Sequence, residues 1–176
     1  MTQNLFTPTM QALLDCAETA LEDNGVPAAS VFLAPGGPPA WDNCCEDGGQ
    51  LWVRLVQVYP TAGPGGSPFP NPDVRPRCSP VLLGARLAVG VLRCSQAFST
   101  EEGDTPTDAT KTAEGTSTAL DASVLLEAIL CCYVPQIRTG AWVVDRWDPL
   151  GPNGGCVGGE WQIVVGVDPC PCPDPS

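Results

Sequence analysis

Chemistry in this chain has to be built from sulfur and carboxylate, because its 176 residues include ten cysteines, 20 acidic residues and no histidine. Without imidazole the commonest general base near neutral pH and the commonest metal ligand are both missing. The cysteines stand at Cys16, Cys44, Cys45, Cys78, Cys94, Cys131, Cys132, Cys156, Cys170 and Cys172. Structural zinc favours paired Cys-x2-Cys knuckles, and no two of these cysteines are three apart, so the spacing is poor for a metal site. Cys16, Cys94 and one of Cys131 and Cys132 fall in apolar periodic segments and suit buried thiols, which behave as small hydrophobes. Cys44, Cys45, Cys78, Cys156, Cys170 and Cys172 lie in loops. There they suit disulfides or another structural role, provided that the protein ends up outside a reducing compartment. The spacing leaves their connectivity open.

Two cysteines share one design. Cys45-Glu-Asp-Gly-Gly-Gln-Leu-Trp and Cys156-Val-Gly-Gly-Glu-Trp each set a glycine pair between a cysteine and a tryptophan that opens an alternating apolar run. The glycines permit a tight backbone just ahead of a strand. The expectation is that Cys156 lies near Cys44 or Cys45 at one end of a sheet. Catalysis has no comparable support. A cysteine or serine nucleophile would need a lysine or carboxylate partner, and the single lysine, Lys111, lies in a polar stretch. The acidic pairs Asp145 with Asp148 and Glu46 with Asp47 occupy turn contexts, where such residues cap or are solvated. The glycine clusters at 36–37, 63–66 and 154–159 are not followed by Lys-Ser/Thr and a helix, so they fail as phosphate loops. No catalytic residue, cofactor or metal is therefore expected.

The elements that must position these residues are legible from periodicity. Thr7 as N-cap and Pro8 at the first helical position open a helix with Met10, Leu13, Leu14, Ala17 and Leu21 on one face, stopped by Gly25. Strands are expected over about 28–34, 50–59 and 81–94. In the second of these Leu51, Val53 and Leu55 alternate with Trp52, Arg54 and Val56. The third carries the longest apolar alternation and should be central. Residues 118–133 carry a helical stripe ended by Pro135. Residues 141–147 and 160–167 read as a closing hairpin with a long Pro/Gly-rich loop. The chain is thus predicted to be α+β, in the order α-β-β-β-α-β-β. One mixed or antiparallel sheet of about five strands would carry two packed helices in a single domain over 1–167. Two long loops interrupt it, 60–80 rich in proline and glycine, and 95–117, whose segment 99–117 is polar with little to bury and reads as an exposed insertion. Residues 168–176, where proline alternates, read as an extended arm.

A net charge of −12 argues against any site that grips nucleic-acid phosphates, though such a surface suits DNA that must pass without sticking. No run approaches the roughly 18 apolar residues of a membrane span, and the first residues lack the pattern of a signal peptide. Synthesis in a cytoplasm and no membrane partner are expected. Arg54 and Arg86 lie in otherwise apolar strands, so each needs a carboxylate partner or a place in a subunit interface. Trp52 and Trp161 join them as interface candidates.

The segments Cys44-Cys-Glu-Asp-Gly-Gly-Gln-Leu-Trp-Val-Arg-Leu, Cys78-Ser-Pro-Val-Leu-Leu-Gly-Ala-Arg-Leu-Ala-Val-Gly-Val-Leu-Arg-Cys and Gly151-Pro-Asn-Gly-Gly-Cys-Val-Gly-Gly-Glu-Trp resemble head-to-tail region proteins of phages that infect actinobacteria. The element order with its long loop after the second strand resembles the tail terminators of long-tailed bacteriophages. The resemblance implies a virion protein of the tail and neck, assembled in the host cytoplasm without an active site. It would form a homohexameric ring that caps the tail tube. Its partners would be the major tail (tube) protein and the head-side connector or stopper protein, with genome DNA passing through unbound. A connector or stopper of the neck is the near variant, and a cysteine-rich metal-binding or redox module is the alternative of another class. The number of cysteines departs from terminators in general.

Overall fold

The computed structural model describes residues 5–37, 44, 45, 48–61, 82–95, 105–137, 142–153 and 155–167. The elements are α1 (Thr7–Asp23), β1 (Ser30–Ala34), β2 (Gln50–Thr61), β3 (Leu82–Cys94), α2 (Asp108–Glu127), β4 (Trp142–Asn153) and β5 (Cys156–Val167). The fold is α+β, in the expected order. The five strands form one mixed sheet in the order β1-β2-β3-β5-β4, with β1 parallel to β2 and every other pairing antiparallel. β3 is its central strand.

Helix α1 begins one residue earlier than the capping signal implied. Phe6 is the N-cap with no side-chain bond, and Thr7 and Pro8 lie inside the first turn. At the other end Gly25 adopts φ 72°. Its N–H donates to the Glu22 carbonyl at 2.9 Å and that of Val26 to Leu21 at 2.9 Å, a Schellman closure that only a residue tolerant of the left-handed region forms cheaply. The buried stripe Met10, Leu13, Leu14, Ala17 and Leu21 then lies on the sheet.

Helix α2 departs further from expectation. Residues 108–117 were expected in an exposed insertion, yet they are its first turns. Thr107 caps it, accepting a hydrogen bond from the Thr110 N–H at 3.2 Å. Thr112 and Thr116 return their hydroxyls to carbonyls four residues back, each at 2.8 Å, which satisfies the hydroxyls within the helix. A π-helical turn, Ala128–Tyr133, and a short 3-10 turn, Val134–Gln136, continue it. Within Asp108–Gln136 lies an 18-residue window of mean hydropathy 1.5, an exception to the expectation that no segment approaches a membrane span. Val124, Leu125, Ala128, Ile129 and Tyr133 of that stretch are buried in the core.

The hairpin β4–β5 is longer than predicted. Pairing continues from Trp142↔Val165 to Asn153↔Cys156 through the stretch expected to be loop, with irregularities at Val144/Arg146 and Leu150/Asn153. Pro149 and Pro152 are tolerated because β4 is an edge strand, where a missing N–H costs no ladder bond on the open side.

The main core lies between the helices and one face of the sheet, where Leu51, Val53, Leu87, Val89, Val91 and Val165 meet the two helical stripes. A smaller cluster, Ala34, Cys44, Trp52, Leu92 and Cys156, sits apart from it. In the β2 register Trp52 alternates with Leu51 and Val53, so this cluster marks the face that the helices leave free. The segments 62–81, 96–104 and 168–176 lie outside the described residues. So do the loop expected at 60–80 beyond Thr61 and the proposed arm.

Candidate functional site

Four sulfurs gather at one end of the sheet. Cys94 closes β3 and Cys156 opens β5, and the two are direct partners across the ladder. Cys44 and Cys45, consecutive in the turn before β2, bind one each: Cys44 pairs with Cys156 (Cα–Cα 5.9 Å) and Cys45 with Cys94 (Cα–Cα 4.3 Å). The two disulfides lie side by side, with Cys44 Sγ 3.9 Å from Cys45 Sγ. Cys44 and Cys156 are buried, whereas Cys45 and Cys94 are exposed.

The glycine pairs of the repeated design make this arrangement possible. A side chain at Gly49 would overlap the Leu92 carbonyl oxygen, and one at Gly158 would overlap that of Val91. Gly49 (φ 94°) precedes β2 and Gly158 lies in β5, so β3 is approached from both sides by backbone that carries no Cβ. Each cysteine ahead of a glycine pair is thereby delivered to the end of β3.

Two expectations for the cysteines need correction. Cys16 and Cys94 were expected as buried thiols, yet Cys94 is bonded to Cys45 and Cys16 to Cys132. Cys16 does lie on the buried face of α1, and its Cα is 5.7 Å from that of Cys132 on the π turn, within disulfide reach. Burial and bonding coexist there. Cys131 is a free, exposed thiol and Cys132 is bonded, so the buried thiol expected of one of them is a further correction. Cys78, Cys170 and Cys172 lie outside the described residues.

The interface candidates are engaged within the chain itself. Trp52 is completely buried, its ring laid over Gly90 of β3, so it has no surface to offer a neighbour. Arg54 reaches across β3 to Glu160 on β5, with Nη2–Oε1 2.5 Å and Nε–Oε2 3.0 Å, and also donates to the Gly36 carbonyl at 2.9 Å. Small Ala88 and Gly90 on the intervening strand leave room for that span. Arg86 pairs with Asp145 and donates to Gln162 Oε1 at 3.0 Å. Gln162 in turn donates to Asp148 at 2.6 Å, and Asp148 also pairs with Arg146. Three arginines and three carboxylates thus neutralise one another on the face opposite the helices. Trp161 lies on the helix side, donating its indole N–H to the Ala122 carbonyl at 2.7 Å and packing on Trp147 with ring centroids 5.7 Å apart.

Sequence reading missed a further anchor. Arg93 holds Asp121 of α2 through two bonds, at 2.9 and 3.1 Å, and donates to the carbonyls of Val26 (2.7 Å), Pro27 (2.8 Å) and Gly48. One guanidinium therefore ties β3 to α2, to the segment after α1 and to the glycine turn. Its signal was an arginine beside Cys94 at the end of the most apolar strand. On the π turn the Tyr133 hydroxyl is buried without a hydrogen-bond partner, and burial pushes its pKa upward.

Among the described residues no group of three or more His, Cys, Asp or Glu side chains stands ready to hold a metal in this oxidised form. An open groove between α2 and the β4–β5 hairpin is lined mostly by apolar groups, among them Ala119, Ala122, Trp147 and Val157, with Lys111, Glu114 and Thr118 as its polar members. The chemistry that the arrangement does permit is thiol–disulfide exchange at the four sulfurs. The exposed Cys45–Cys94 bond is open to an external thiol, and a freed Cys45 would stand beside the buried bond. No protein-family model matches the chain, and no curated protein is significantly similar to it.

Proposed function

We propose that this protein is a structural subunit of a tailed-bacteriophage virion, a tail terminator that closes as a ring between the tail tube and the head-side connector. The observation that carries the reading is the element order on one sheet, α-β-β-β-α-β-β, with residues 62–81 set between β2 and β3. This is the arrangement expected from the resemblance. Two other features support it. Charges on the helix-free face cancel, while the chain as a whole is strongly acidic, as suits a conduit for DNA. Three intrachain disulfides suit a particle that leaves the reducing cell interior. Native mass spectrometry with negative-stain microscopy tests the reading: a closed ring of six copies, found also at the virion neck, is the expected result. A chain that stays monomeric and is absent from particles overturns it. Capture by the tail-tube protein, set against capture by the portal-side connector, separates terminator from connector.

The adjacency of the two disulfides favours a second reading, a cysteine-rich redox or metal-binding module, with the four sulfurs as its working part.

A further inference from the structure

We propose that Cys44, Cys45, Cys94 and Cys156 are one soft-metal site in two states, holding a single thiophilic divalent cation such as Zn²⁺ when reduced and forming the two observed disulfides when oxidised. The inference deepens the second reading above and does not depend on ring assembly. Its ground is convergence. Cys94 and Cys156 face each other across the β3–β5 ladder, and Cys44 and Cys45 lie over that end in consecutive positions. A tetrahedral zinc with Zn–S bonds near 2.3 Å has its sulfurs about 3.8 Å apart. Cys44 Sγ and Cys45 Sγ already stand 3.9 Å apart. Reduction would let each bonded pair open toward the same spacing by side-chain rotation, about backbone positions held by the ladder and by the glycine approaches.

The surroundings suit such a site. Buried Cys44 and Cys156 pack with Ala34, Trp52 and Leu92, which keeps water from one side, while exposed Cys45 and Cys94 give an ion or a reductant its way in. Four thiolates select a soft cation over calcium or magnesium. The absence of Cys-x2-Cys knuckles is no obstacle, since the ladder and the turn assemble the ligands.

The chemistry balances. Two equivalents of a dithiol reductant supply four electrons and four protons, which convert two disulfides to four thiols. Binding of one divalent cation then releases four protons and leaves a tetrathiolate. Oxidation by a disulfide of the same class reverses the sequence and expels the ion. Disulfides are disfavoured in a reducing compartment, and there the metal would occupy the same end of the sheet.

The test uses the full chain, reduced anaerobically with a phosphine and titrated with Co²⁺ and then Zn²⁺. Expected are one Co²⁺ per chain with the visible absorption of a tetrahedral thiolate complex, its displacement by Zn²⁺, and release of Zn²⁺ on reoxidation. Alkylation of the reduced wild-type chain with and without zinc, mapped by mass, should show zinc-dependent protection of the exposed Cys45 and Cys94 while Cys131 and Cys132 react in both. Joint Cys45→Ser and Cys94→Ser substitution should weaken binding by more than the roughly 10–100-fold that a lost outer-shell partner costs. Less than a tenth of an equivalent bound, protection of a different set of cysteines, or unchanged affinity in the double variant would each overturn the proposal. The alkylation map needs no variant, so it decides the matter even where the double substitution fails to fold. Assembly, read separately by native mass, reports on the ring alone.

Discussion

At the scale of single residues, Arg93 contributes more than its place in an apolar strand suggested. It neutralises Asp121, which is only 2% exposed, and fills three carbonyls besides. Arg93→Ala leaves a buried carboxylate alone and should cost about 3–5 kcal/mol in denaturant unfolding. Arg86→Ala, at a pair whose side chains are 25% and 37% exposed, should cost about 1 kcal/mol or less. Equal losses would refute the contrast. Tyr133 gives a pH prediction. Its folded-state pKa is raised by burial above the ordinary 10, so the unfolded chain loses this proton first. Stability is fully present below pH 10 and falls above it, by about 1.4 kcal/mol per pH unit from this group alone. Tyr133→Phe should abolish that slope and, by removing an unpaired buried hydroxyl, raise stability at neutral pH by about 1–3 kcal/mol. Chemical denaturation of both proteins across pH 8–11 (roughly the window set by that pKa) checks it, and parallel curves would count against the assignment. Cysteine partners were only partly legible, because pairing follows strand register. Cys94 reads as part of an apolar run until it is known to face Cys156.

At the scale of elements, glycines separate positions that pack from positions that merely bend. Gly158→Ala would press a methyl group into the Val91 carbonyl and force β5 from β3, an overpacking loss of about 1–3 kcal/mol or more. Gly115→Ala on α2, with nothing within 4 Å, should instead stabilise by about 0.4–1 kcal/mol through helix propensity and a less entropic unfolded chain. Thermal unfolding of the two variants should shift in opposite directions, and a shared sign would contradict this account. Strand identities, their order and the central place of β3 could be read from period-two alternation. The first half of α2 could not, since its residues have no apolar stripe and its start is marked only by the Thr107 cap. The full hairpin was hidden for the opposite reason: proline and glycine signal a loop unless the strand is already known to lie at an edge.

At the scale of the whole molecule, charge is unevenly placed. Helix α1 carries Asp15, Glu18, Glu22 and Asp23 with no base, while the helix-free face of the sheet is neutralised by its own arginines. A chain of net charge −12 should show no retention of duplex DNA in gel-shift assays at physiological salt. Retention that weakens steeply as salt rises would reveal a basic surface and count against the role of passive conduit. The four-sulfur end was half legible at this scale. The repeated Cys-Gly-Gly-Trp pattern brought Cys156 toward Cys44 and Cys45, but Cys94 came from the fold alone. Strand β4 has a consequence of its own. Its outer side has no partner among the described strands, and such a border invites another chain to add by main-chain bonding. Pro149 and Pro152 take two main-chain N–H groups out of β4, and two irregularities disturb its spacing. Runaway growth of sheet from molecule to molecule, the route to fibrils, is therefore checked along the second half of β4.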